Sequence, residues 1–241
     1  MNGLMDTVKE NVVFLLEFLA VVVVIFLIAY IAEKIAAKRS ESKERILSTR
    51  KVAMIGMFSA ISAILMLFEF PMPFAPGFYK LDFSELPVLI GTFAFGPVAG
   101  VMIEFCKIVL KLLFKSTSTA FVGELANFTV GCSFIVPASI IYLFRKNKKN
   151  AIIGCVVGTI CLTLFGTAFN AIYLLPKFAE LYGMPLDALI AMGTEINASI
   201  TDITSFVCFS VAPLNLIKGT SVSVITLLVY KRLSLVLKKT H

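Results

Sequence analysis

Seven apolar runs follow one another along the chain, near residues 12–32, 52–70, 84–95, 97–114, 120–144, 151–175 and 211–230. Most approach the ~20 residues that a helix needs to cross bilayer hydrocarbon. That pattern predicts an all-α integral membrane protein, and the composition agrees: hydrophobic residues make up 59% and the mean hydropathy is +0.94, far above a globular domain. The run 84–95 is short, and Gly96-Pro97 separates it from its neighbour, so the two are expected to form a tightly paired, partly irregular hairpin rather than one long helix.

The net charge of +7 admits two readings, nucleic-acid binding or membrane orientation. Orientation is preferred, because 15 of the 22 Lys and Arg fall in 34–51, 145–149 and 231–239, beside the apolar runs, where excess basic charge marks the cytoplasmic side. With those stretches inside, the first run passes from outside to inside and six spans follow, both ends of that unit cytoplasmic. Residues 1–11 balance Lys9 against Asp6 and Glu10 and show no small-residue cleavage site, so run 12–32 reads as a retained anchor helix. The division expected is residues 1–49, an N-terminal anchor helix and basic linker, and residues 50–241, a six-helix membrane domain. The mixed charges of 33–51 suit a solvated linker or a helical extension.

Several chemistries are excluded. The single histidine, His241, is the last residue, so a Ser-His triad, an H-E-x-x-H zinc site and a haem histidine ligand are absent from the membrane domain. No G-x-x-x-x-G-K-[ST] loop occurs, so ATP-driven work needs a partner. The five cysteines lack C-x-x-C spacing and are expected to be buried free thiols.

Lys218 is the most conspicuous polar residue, because the eleven residues that follow it, Gly219 to Val229, carry no charge. A cation inside a membrane-length run costs a few kcal/mol and needs a compensating role. Asn215 lies one helical turn earlier on the same face and is expected to pair with it. If the last helix opens at Pro213, Lys218 lies roughly 8 Å inside its outer end. Asn170 with Tyr173, and Glu124 with Asn127, fall at a similar outer depth in their own runs. For Glu124 and Asn127 alone, interhelical hydrogen bonding is the simpler reading, and a structural pairing of Lys111 with Glu124 is preferred to ligand contact.

Above this ring lies the loop 71–87, stiffened by Pro71, Pro73 and Pro76 and bearing Phe74, Phe78, Tyr79 and Phe83. Aromatics at headgroup level account for one or two of these rings, but less well for Lys80 and Asp82, so the loop is read as a lid. A second outer stretch, 176–210, holds a plausible helix from Asp187 to Asn197 that can cover the same mouth. The ligand implied has a planar apolar part and a polar edge. A flavin with its polyol tail fits, and so do other vitamins. Small residues at Gly56/Ala60 and Ser59/Ala63 permit close helix approach, either within the chain or at a partner-docking face.

Four segments then carry a resemblance: Lys80-Leu-Asp-Phe-Ser-Glu-Leu-Pro87, Phe95-Gly-Pro-Val-Ala-Gly100, Gly123-Glu-Leu-Ala-Asn-Phe128 and Pro213-Leu-Asn-Leu-Ile-Lys-Gly219. Together, over about residues 50–235, they resemble the riboflavin-specific S component of energy-coupling factor (ECF) transporters. The resemblance implies a six-helix membrane protein that captures riboflavin from outside and works with a transmembrane coupling subunit and two ATPase subunits in the bacterial plasma membrane. It matches Asn215 and Lys218 to the polar pair that holds the vitamin, Asn170 to an asparagine of the preceding helix, and the loop around Lys80 and Leu81 to a cap over the ring. The family's Ala-x-x-x-Ala docking motif meets Gly or Ser here in one place. No resident cofactor is expected. The alternatives are an S component for thiamine, biotin or a flavin phosphate, a membrane enzyme using Glu124, Asp82 and Lys218, and a channel. No nucleophile–base set assembles for the enzyme, and the polar residues cluster near one face rather than along a channel path.

Overall fold

The computed structural model describes residues 12–39 and 46–238, with side chains as far as residue 229. The basic stretch 231–239 and His241 therefore lie beyond the described side chains. Among these described residues, ten α-helices and one two-stranded hairpin follow in order: α1 Val12–Arg39, α2 Thr49–Met66, β1 Phe70–Pro71, β2 Lys80–Leu81, α3 Glu85–Phe95, α4 Pro97–Phe114, α5 Val122–Phe144, α6 Lys148–Phe169, α7 Leu175–Tyr182, α8 Leu186–Thr194, α9 Ile203–Phe206 and α10 Ala212–Lys238. A π-helical turn, Asn170–Leu174, joins α6 to α7, and another, Val207–Val211, joins α9 to α10. Five of these stretches are long and apolar enough to cross a membrane: Val12–Arg39, Thr49–Met66, Val122–Phe144, Lys148–Tyr182 and Ile203–Val229. The protein is a multi-pass membrane protein built almost wholly of helices.

Two expected segments behave differently for clear reasons. Helix α4 has the length to span but carries Glu104, Lys107 and Lys111. Helix α3 has 11 residues, about 16 Å at the α-helical rise, against a hydrocarbon core of roughly 30 Å. It can be short because it lies inside the bundle, in contact with α2, α4, α5 and α10. Val88, Leu89, Gly91, Thr92 and Phe93 are all buried, and Phe58, Ile103, Phe134 and Ile135 of the neighbouring helices surround it. Its first turn therefore begins within the protein, and the preceding loop must dip into the bundle to reach it. The Gly96-Pro97 break is as expected: Gly96 takes a φ of +100°, which frees α4 to turn back beside α3.

The last two long segments also run further than the sequence implies. The expected outer end at Leu175 is passed, because the π turn carries the helix on to Tyr182. The last helix opens not at Pro213 but at Ile203, where Asp202 and Ser205 form a capping box. Each π turn is followed at once by a proline dipeptide, Leu175-Pro176 and Ala212-Pro213. Proline lacks an N–H and crowds the carbonyl four residues back; the wider turn absorbs both defects without ending the helix.

Helix α1 reaches Arg39 and packs on α4 and α5, with Phe18 against Phe128 at 5.9 Å between ring centroids. Glu33, expected in a solvated linker, is buried: its carboxylate accepts from the Val98 N–H (3.2 Å) and faces Lys51 at 3.8 Å. The cysteines are free, but they are not uniformly buried. Cys132 and Cys155 are, whereas Cys208 is exposed, on the outer side of the second π turn.

Candidate functional site

The loop between α2 and α3 is drawn into a narrow hairpin by pairing Phe70 with Leu81 and Pro71 with Lys80. Polar contacts fasten it to the helices at several points. Ser210 Oγ, in the second π turn, donates to the Phe74 carbonyl at 3.2 Å. Tyr79 Oη donates to Asn170 Oδ1 at 2.6 Å, at the start of the first π turn. Lys218 Nζ reaches Asp82 Oδ2 at 3.1 Å and Glu85 Oε1 at 3.2 Å. The two π turns touch one another beneath the loop, so the irregular backbone lies where the loop is held.

Burial raises the Tyr79 phenol, which stays protonated and donates to Asn170. Burial would raise the Asp82 carboxyl as well, but the Lys218 and Lys107 ammoniums, with the hydrogen bonds from Ser84, hold it at about 2. Asp82 is therefore an anion at any physiological pH. Lys218 donates to Asp82 and stands in ion-pair range of Glu85, which leaves at least one ammonium proton for a further acceptor.

Asn215 does not bond to Lys218 as the one-turn spacing implies, because the ammonium takes the stronger carboxylate partners. Its side chain turns towards α6, where Nδ2 packs against Gly166 and, though buried, has no hydrogen-bond acceptor. Asn170 Nδ2 donates to the carbonyl of the same Gly166 at 2.7 Å. A Cβ at Gly166 would lie 2.5 Å from Asn215 Nδ2, so this glycine is what lets the two asparagines converge. Thr167 Oγ1, on the same stretch of α6, is also buried without a partner.

Phe78 stacks at a tilt on Tyr79 (4.7 Å) and joins a cluster with Leu175, Ile200 and Phe206. Leu81 is buried, and Lys80 is exposed and paired with Glu69 at 3.0 Å. Helix α8, Leu186–Thr194, matches the helix expected over Asp187–Asn197 and packs into the Phe206 cluster through Leu186 and Ile190.

Three nominated residues lie outside this group. Glu124 is occupied by Lys111 (2.8 Å), Thr117 (2.9 Å) and Thr119 (3.3 Å), which together tie down the loop 115–121. Asn127 Nδ2 donates along its own helix to Gly123 O. Tyr173 stacks on Phe169 at 5.2 Å and packs with the α1 cluster around Phe18, since the π turn rotates it away from Asn170. On α2 the two small-residue pairs split: Ser59 and Ala63 are buried inside the chain, Ser59 donating to Ile55 O, whereas Gly56 and Ala60 are exposed. An apolar groove of about 250 Å³ lies elsewhere, between α1 and α4, lined by residues such as Phe26, Val101 and Phe105. With no polar lining, it lacks the chemistry of the loop site.

Nomination from the sequence passed over Glu85, Glu104, Thr167 and Ser210. Glu104 carried a readable signal: with Lys107 it places opposite charges three residues apart inside an apolar run. Glu85 lies in the segment Lys80–Pro87, where nothing in the sequence marks it for a role. Thr167 and Ser210 gave none, since hydroxyls are common in membrane helices.

A membrane bundle whose helices converge polar side chains under a tethered loop has the form of a small-molecule binding site. The family of substrate-specific components of ECF transporters matches residues 50–230. The chain belongs to that family, and the match begins after α1. It is similar to riboflavin transporter RibU of Staphylococcus aureus, 35% identical over 79% of this chain and 93% of the relative. Riboflavin transporter FmnP of Bacillus subtilis is 29% identical over 78% and 93%. A solved S component of a bacterial ECF transporter superposes with a TM-score of 0.61 at 35% identity, covering 78% of this chain and 98% of that one.

Proposed function

We propose that the chain is the riboflavin-binding subunit of an ECF-type uptake transporter, taking the vitamin at the outer face of the bacterial plasma membrane. A transmembrane coupling subunit and two ATPases would complete the transporter. Residues 50–241 form the six-helix binding domain, counting α3 with α4 as a pair of short central helices, and residues 1–49 an added anchor. The loop 70–84 is the lid, with Phe78, Tyr79 and Leu81 covering the flavin ring. Asn170, Asn215 and Lys218 supply the polar edge, where an amide can donate and accept at once. Gly56 and Ala60 on the exposed face of α2 are the part of the small-residue motif open to the coupling subunit.

The observation that carries this reading is the lid contact with Asn170 and Lys218, set beside a buried Asn215 Nδ2 with no acceptor. Two relatives named as riboflavin transporters over most of the chain support the choice of vitamin. Fluorescence titration of purified protein with riboflavin tests it. Lys218→Ala and Asn215→Ala are expected to weaken binding about tenfold or more, the scale of one lost buried hydrogen bond to a ligand. Unchanged affinity in both would remove them from the site, and failure of the native chain to bind riboflavin would end the vitamin assignment.

A further inference from the structure

Behind Lys218 lies a second set of charges that ligand contact does not account for. Lys107 is fully buried, and its Nζ meets Ser84 Oγ at 3.1 Å, Glu85 Oε1 at 3.0 Å and Glu104 Oε1 at 2.6 Å. Glu85 Oε1 is thus shared between Lys107 and Lys218. The other Glu85 oxygen has no donor, and neither Glu104 oxygen accepts a well-formed hydrogen bond. The two carboxyl groups lie within hydrogen-bonding reach of each other, and both crowd the space beside Gly131 that a side chain would otherwise fill. The groups facing this pair are Lys107 on α4 itself, Asp82 and Ser84 at the entry to α3, Lys218 on α10 and the Cys132 thiol on α5. Three carboxyl groups, Asp82, Glu85 and Glu104, therefore face two ammoniums in a buried place, with no group of residues among those described arranged to hold a metal ion.

An uncompensated anion is costly in that setting, and so is a buried carboxylate oxygen without a donor. One proton resolves both, because it removes the excess charge and makes one carboxyl a donor to the other. We propose that Glu104 is a positioning residue: its carboxyl shares a proton with Glu85, and the neutral network so formed fixes the Lys218 ammonium beneath the lid. The chain of contact runs from Glu104 through Glu85 Oε1 to Lys218. With the proton in place, Lys107 balances Glu85 and Lys218 balances Asp82, so Lys218 keeps its remaining N–H for an uncharged hydrogen-bond acceptor.

The ligand arm of the test rests on the riboflavin reading, so a ligand-free arm accompanies it. Infrared spectra of the purified full-length protein and of Glu104→Gln, each in H2O and D2O at neutral pH, read the proton directly. The native chain is expected to show the C=O stretch of a protonated carboxylic acid, shifted by deuterium and missing from the variant. No such band in the native chain, or the same band in both, overturns the proposal. In titrations with riboflavin, Glu104→Gln keeps a donor towards Glu85 and is expected to bind within about twofold of the native chain, while Glu104→Ala loses about tenfold. Raising the pH until the shared proton leaves should weaken the native chain and leave Glu104→Gln unaffected; parallel pH profiles would also overturn it. If neither chain binds riboflavin, the vitamin assignment fails and the infrared result still decides the proton.

Discussion

An ammonium among apolar helices persists only where its charge is answered, and the residues that answer Lys218 also hold the lid. Asp82 is a loop residue, so each time the lid lifts this ion pair must break together with the Tyr79 to Asn170 hydrogen bond. Tyr79→Phe keeps the ring against Phe206, 6.1 Å away, and deletes only the hydroxyl. Losing one such bond weakens closure by about 1 kcal/mol, and interface changes of this kind act mainly on dissociation. Riboflavin release from Tyr79→Phe, followed by stopped-flow fluorescence, is expected to be about fivefold faster with little change in the association rate. At this scale Lys218, Asn170 and Asn215 were legible because a polar side chain in an apolar run has few harmless explanations. Their partners were legible only in part. Asp82 is marked by its place in the lid but not as the counter-ion of Lys218, and Glu85 stands at a loop-to-helix junction, where a carboxylate is unremarkable until α3 is known to begin inside the bundle.

At the level of elements, close approach is set by small residues, since helices in lipid associate through packing rather than through release of water. Helices α5 and α6 show it most directly: a Cβ on Gly154 would sit 2.5 Å from the Ala138 carbonyl oxygen, and one on Gly158 would sit 2.7 Å from that of Phe134. Those neighbours are backbone and cannot swing aside. Gly154→Ala should therefore push the helices apart despite the better intrinsic helix propensity of alanine, costing about 1–3 kcal/mol. The thermal midpoint in detergent is expected to fall by about 5 °C, while Gly183→Ala, in open space at a helix C-terminus with φ +62°, is expected to cost less. Helix positions were legible from hydropathy because lipid admits little else, and the break at Gly96-Pro97 was legible from proline chemistry. The π turns were not, since a proline inside a run signals an interruption without saying whether the helix stops or widens. That single ambiguity displaced the outer ends of two segments and turned Tyr173 away from Asn170.

Across the whole molecule, charge is sorted by end. Lys38, Arg39, Arg50, Lys51, Arg145, Lys146, Lys148 and Lys149 gather at the helix ends opposite the lid, which brings Arg39 over the Phe144 ring at 5.6 Å. Helix α1 is joined to this end by Glu33, which caps the start of α4, where Pro97 offers no N–H and Val98 supplies the first one. Further along, Phe18 packs on Phe128 within a cluster supplied by α4 and α5. None of the residues that fasten the lid belongs to α1, although Tyr173 on the far side of the first π turn touches its cluster. The helix is therefore bound to the α4–α5 face, with Glu33 also facing Lys51 at the start of α2. Two consequences follow from that placement. Phe18→Ala combined with Glu33→Gln removes a buried ring and weakens a helix cap; in soluble cores the ring alone is worth about 3 kcal/mol. Lipid can refill part of the gap, so a fall of about 5 °C in thermal midpoint is expected. Riboflavin affinity of the same double variant should stay within about twofold of the native chain, because the lid, Asn215 and Lys218 rest on α3, α6 and α10. A loss of affinity comparable to that of Lys218→Ala would show instead that α1 supports the site through the Tyr173 contact.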